Sequence, residues 1–154
     1  MGGKSTRFGS DKGIFEFLGK PLITYQLETL CQFNLNIFLI ANSFEQIQNY
    51  INKIDLNKIM GFVLDDKLIS KNIGVHSPMI GLYSAFKELL DLGYQKALTV
   101  SCDMPLIKKS VVELLIKESI YYDCIIPKWK NGFLEPLFAV YPIKEALFRI
   151  EYFL

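Results

Sequence analysis

Between Pro21 and Ile150 the chain alternates short, unbroken apolar runs with longer stretches whose apolar residues recur at helical spacing, and this alternation narrows the choice of fold sharply. Ile37-Phe38-Leu39-Ile40-Ala41 contains no polar residue and stops at Asn42. A run with no water-facing side reads as a strand covered on both faces, the mark of a parallel sheet. Gly61-Phe62-Val63-Leu64 and Ala97-Leu98-Thr99-Val100 read the same way, and Cys124-Ile125-Ile126-Pro127 and Leu134 to Tyr141 read as further strands. The intervening segments Pro21 to Phe33, Phe44 to Lys53, Pro78 to Leu92, Ser110 to Ile120 and Pro142 to Ile150 are predicted helices. Pro21 suits a first helical turn, and Ser43 is an N-cap with Gln46 at the capping-box position. Strands alternating with amphipathic helices predict an α/β fold, a parallel sheet with helices on both faces. In such sheets ligands collect beyond the carboxyl ends of the strands. Asn42, Asp65, Asp66 and Asp103 each follow a predicted strand, so one edge of the sheet is the expected site.

The 154 residues fit one domain, and 51% hydrophobic content excludes disorder. With 17 basic and 16 acidic residues the net charge is +1, which argues against a nucleic-acid binder or a basic membrane-surface protein and favours a small-molecule substrate. No apolar run approaches the length of a membrane span, and the polar, glycine-rich start is unlike a signal peptide, so a cytoplasmic location is expected. Cys31, Cys102 and Cys124 lack metal-binding spacing and are expected to be reduced, buried thiols. His76 is the sole histidine, which rules out a multi-histidine metal site, and its Gly/Ser/Pro-containing surroundings read as a loop.

The candidate chemistry begins in Gly2-Gly3-Lys4-Ser5-Thr6-Arg7-Phe8-Gly9-Ser10-Asp11-Lys12. Glycines let backbone N–H groups curl round an anion, and Ser5 and Thr6 add hydroxyl donors. Arg7 offers a bidentate fork and Lys12 a point charge, the two ways side chains hold phosphate oxygens. The segment is neither a Walker A loop nor a G-x-G-x-x-G turn; it reads as a triphosphate-binding loop or, more blandly, a basic tail. Asp103, at the mouth of a strand and ahead of Pro105, can hold a divalent cation or simply cap a turn. Asp65 and Asp66 point to opposite sides of an extended chain, so one of them faces the site. Asn42 can meet ribose or base, or serve as a turn residue.

The pattern Gly-Gly-Lys-Ser-x-Arg-x-Gly-x-Asp-Lys from Gly2 to Lys12 resembles the signature loop of the molybdenum cofactor guanylyltransferases. Ser101-Cys102-Asp103-Met104-Pro105-Leu106 is similar to that family's Cys-Asp-Met-Pro motif, which carries its magnesium aspartate. Ser77-Pro78-Met79-Ile80-Gly81-Leu82 and Glu135-Pro136-Leu137-Phe138-Ala139-Val140-Tyr141 resemble two further family segments, in the same order. The resemblance implies a three-layer α/β/α, Rossmann-like nucleotidyltransferase fold with a mostly parallel sheet. It also implies transfer of GMP from GTP to the phosphate of molybdopterin, releasing pyrophosphate. In that reading Mg²⁺ sits on Asp103, and Arg7, Lys12 and the Gly2-Gly3 backbone hold the triphosphate. Ser5, Asn42 and Asp66 complete the nucleotide contacts, and the protein acts as a monomer. The alternatives are a related enzyme using CTP or another acceptor, or a non-catalytic nucleotide-binding remnant. Family members carry a buried strand ending Leu-Ala ahead of the loop and continue through another strand and helix. This sequence shows neither, so the domain at 1–154 is expected to lack a central strand and a C-terminal portion.

Overall fold

The computed structural model describes residues 11–57, 59–65 and 78–153. A 3₁₀ turn at Lys12–Ile14 leads into a small antiparallel hairpin, β1 (Glu16–Phe17) and β2 (Lys20–Pro21). Gly19 turns that hairpin at φ 83°, a left-handed conformation that a residue without a Cβ adopts at little cost. Then follow α1 (Leu22–Leu30), β3 (Ile37–Ala41), α2 (Phe44–Ile51), β4 (Ile59–Leu64) and α3 (Pro78–Asp91). The chain continues through β5 (Lys96–Val100), α4 (Lys109–Glu118), β6 (Phe138–Pro142) and α5 (Ile143–Phe153). Every predicted helix is present, with ends shifted by a few residues. Pro21 lies just outside α1, where its missing N–H costs the helix nothing.

Two apolar cores lie on opposite faces of the strands. One gathers Leu27 and Leu30 of α1, Tyr50 of α2 and Val112 and Leu115 of α4 against Ile37, Leu39, Leu98, Val100, Phe138 and Val140. The other joins Phe86 and Leu89 of α3 to Ile143 and Leu147 of α5, over Phe38, Ala97 and Tyr141. Alternate residues of β3, β5 and β6 thus go to opposite sides, as the two-residue period of a strand requires. The architecture is helix, strand, helix in three layers, a mixed α/β fold.

The strand layer holds both parallel and antiparallel pairs. Among the described residues β3 pairs with β4 in parallel, whereas β5 pairs with β6 antiparallel, and no ladder joins the two pairs. The segment predicted as a strand at Cys124 to Pro127 contributes an isolated bridge, Ile125 to Val140, and the strand predicted from Leu134 begins only at Phe138.

A cavity of about 380 Å³ separates the two pairs. Ile37 through Ile40 of β3 and Lys96 through Val100 of β5 all line it. Side chains alternate along a strand, so an unbroken run of lining residues places the cavity along the two strand edges. Helix α1 covers it on one face and α3 on the other. Leu39, Ile40, Leu98 and Val100 are consequently only half-buried, although their sequence is that of a sheet interior.

The thiols also differ from expectation. Cys31 and Cys102 are half-buried and Cys124 is exposed, and none forms a disulfide among the described residues. No helix among the described residues is long and apolar enough to cross a membrane.

Candidate active site

The parallel register of β3 and β4 brings their carboxyl ends level, and the Asp65 N–H donates to the Ala41 carbonyl at 2.8 Å. Asn42 and Asp65 therefore leave the sheet side by side. Asp103 leaves the end of β5 in a turn fixed from behind by α1. The buried Gln26 amide donates to the Ser101 carbonyl at 2.6 Å, and the Ser101 hydroxyl donates to Asp103 Oδ1 at 2.5 Å. That hydroxyl, with Lys12 assisting, holds the Asp103 carboxyl below the usual carboxylate range, so it is ionised at neutral pH.

Lys12 Nζ lies 3.5 Å from Asp103 Oδ2. Their side chains are 39% and 47% exposed, so a ligand can reach both. An ion pair this open adds little stability; its consequence is the juxtaposition of a cation and a carboxylate at the mouth of β5. Two residues far apart in sequence, each singled out from its motif, thus meet.

Asn42 joins the same edge through Gln46. Ser43 caps α2 by accepting from the Gln46 N–H at 3.1 Å, and Gln46 Oε1 accepts from the Asn42 N–H at 2.7 Å. The expected capping box is present in a stretched form, reaching one residue further back than the N-cap itself. The Gln46 amide also donates to Asp11, the neighbour of Lys12. Asp11, Gln46, Tyr50 and Ser101 had not been singled out as site residues. Gln46 and Tyr50, four residues apart on one face of α2, were open to recognition from that spacing once the cap at Ser43 was placed.

Asp65 turns inward. Its Oδ1 is buried without a hydrogen-bond partner among the described residues, and burial pushes its carboxyl above the ordinary value. A Cβ on Gly81 would lie 3.1 Å from that oxygen, so the bare backbone of α3 is what admits the carboxylate. Gly2, Gly3, Ser5, Arg7, Asp66 and His76 lie outside the described residues. Glu135 accepts from the Trp129 indole at 3.2 Å, within a surface loop.

No group of three or more His, Cys, Asp or Glu gathers among the described residues, and Asp103 is the carboxylate at this edge that is both ionised and accessible beside Lys12. Magnesium commonly takes one or two carboxylates and completes its shell with phosphate oxygens and water. An ionised, accessible carboxylate beside a lysine fits a magnesium ion delivered with a nucleotide, and fits a protein-only metal site poorly.

The model of the MobA-like NTP transferase domain matches residues 1–152. The chain belongs to that family. A probable molybdenum cofactor guanylyltransferase of Thermococcus sibiricus is 35% identical, with 99% of this chain and 74% of the relative covered. One from Pyrococcus horikoshii is 38% identical over 91% of this chain and 65% of its own length. The solved structure of molybdopterin-guanine dinucleotide biosynthesis protein A from Archaeoglobus fulgidus superposes with a TM-score of 0.69 at 26% identity, covering 98% of this chain and 68% of that one. The chain thus spans about two thirds to three quarters of the length of these relatives.

Proposed function

We propose that this edge transfers GMP from GTP to the terminal phosphate of molybdopterin. An acceptor phosphate oxygen attacks the α-phosphorus, the bond between that phosphorus and the bridging β-oxygen breaks, and pyrophosphate leaves. The acceptor needs no histidine or cysteine base, because a phosphate monoester with a second pKa of ~6 is already largely ionised near neutral pH. The protein's task is alignment and charge neutralisation.

The observation that carries this reading is the accessible pair of Lys12 and Asp103 at 3.5 Å, in a chain of the MobA-like family. Lys12 meets a phosphate oxygen of the nucleotide. Asp103 binds the magnesium that arrives with it, and that ion, when bound, neutralises charge on the phosphates. Asn42, held level with Asp11 by Gln46, faces the nucleoside end. Gly2, Gly3, Ser5 and Arg7 cradle the triphosphate, and Asp66 meets the nucleotide, on the strength of the sequence pattern alone. The names of the relatives support guanylyl transfer over other nucleotidyl transfers.

Pyrophosphate release, measured with molybdopterin and either GTP or CTP, tests the reading. Release with GTP and acceptor together supports it; preferential release with CTP, or no release from a folded sample, contradicts it.

A further inference from the structure

The carboxylate beside Lys12 is gripped more firmly than a turn residue needs. Asp11 Oδ1 accepts from the Gly13 N–H at 2.9 Å, closing the 3₁₀ turn, and from the Tyr50 hydroxyl at 3.2 Å. Asp11 Oδ2 accepts from the Gln46 amide. Tyr50 is 4% exposed, and burial together with the Asp11 charge pushes its phenol far above the ordinary range, so it stays a donor. Gly13 lies so close beneath Tyr50 that a Cβ there would sit 2.0 Å from the phenol oxygen. The approach of ring to backbone is therefore specific to a glycine at this position. Two side chains of one helix hold a single carboxylate, and the next residue in the chain is the lysine that reaches Asp103.

We propose that Gln46 and Tyr50 are positioning residues for Lys12. By fixing Asp11 they set the backbone from which the lysine projects, and Gln46, which also binds the Asn42 N–H, keeps that backbone in register with the end of β3. The inference rests on the reading of Lys12 as a phosphate ligand. A loop held only by its own 3₁₀ turn would let the ammonium wander, and small misplacements at such sites are costly. Pinning Asp11 to α2 makes the lysine part of the helix and sheet scaffold.

The test is a double-mutant cycle on GTP binding in the presence of magnesium, followed by calorimetry. Lys12→Ala establishes whether the lysine contributes. Tyr50→Phe removes one donor and keeps the ring; Gln46→Glu keeps the acceptor for Asn42 and sets a carboxylate against Asp11. Each is expected to weaken GTP about three- to tenfold in the parent chain and to have no further effect in the Lys12→Ala background. That loss of effect is something a general structural role would not produce. Circular dichroism melting identifies which of the two variants folds, and one suffices. If the same factor persists in the Lys12→Ala background, or if neither substitution changes affinity, the positioning role is overturned. If the parent binds GTP and Lys12→Ala binds it equally well, the phosphate role of Lys12 falls, and the inference falls with it.

Discussion

Lengthening the chain ahead of Met1 by six apolar residues ending Leu-Ala should stabilise the domain by filling the slot between β3 and β5. No ladder joins β3 to β5 among the described residues, and α1 and α3 cover the slot above and below. Burial of the added strand's own side chains contributes ~1.5–3 kcal/mol each, which its ordering, at ~1.5 kcal/mol per residue, largely cancels. The surplus comes from side chains already ordered. Leu39, Ile40, Leu98 and Val100 would pass from partly buried to buried, at about 0.5 kcal/mol each or about 2 kcal/mol together. For a domain of this size that corresponds to a rise in Tm of roughly 4–8 °C. Thermal unfolding of the extended and parent chains, with hydrogen exchange read on β3 and β5, measures it. An extension of equal length carrying prolines at alternate positions is the control, because proline removes the ladder donors. Unchanged melting and exchange would refute the reasoning and show that the slot does not take up a strand.

Two smaller predictions follow from the packing. Gly13→Ala places a Cβ against the buried Tyr50 ring and should cost ~1–3 kcal/mol, lowering the melting temperature; adding Tyr50→Phe, which removes the oxygen 2.0 Å away, should restore part of the loss, and no restoration would place the strain elsewhere. Asp65→Asn should raise stability at neutral pH. Burial raises the folded-state pKa of this carboxyl, so the folded state binds the proton more tightly than the unfolded state, and the parent loses stability as pH rises from the unfolded carboxylate value through the higher folded one. The gain should shrink as pH falls toward the carboxylate range; a variant less stable than the parent at every pH would mean that Asp65 makes a contact worth more than its desolvation.

Much of the fold was legible because its signals are local. Ile37–Ala41 declares itself by the absence of any polar residue, and Ser43 with Gln46 marks the start of α2. Strand direction is another matter. The residues of Phe138–Pro142 carry no sign that they run antiparallel to β5, since an apolar run has the same side-chain period either way. The candidate site was legible where motif and strand end coincide, at Lys12 and Asp103, which the structure brings to 3.5 Å of each other. The clamp on Asp11 was not, because it depends on α2 folding back against a turn more than thirty residues earlier, a distance no local pattern records. Asp65 shows the limit of alternation: its direction is set by the space above Gly81, a tertiary fact.

Lys12 and Asp103 are the residues proposed to hold the nucleotide and its magnesium ion. Calorimetric titration of GTP, with and without magnesium, into the parent chain and Asp103→Ala tests this assignment most directly, with pyrophosphate release to the acceptor followed in parallel. Magnesium-dependent binding is expected in the parent; Asp103→Ala should lose the magnesium dependence and about 10²-fold or more in transfer, while melting is little changed. Equal, magnesium-dependent binding by both proteins would contradict it.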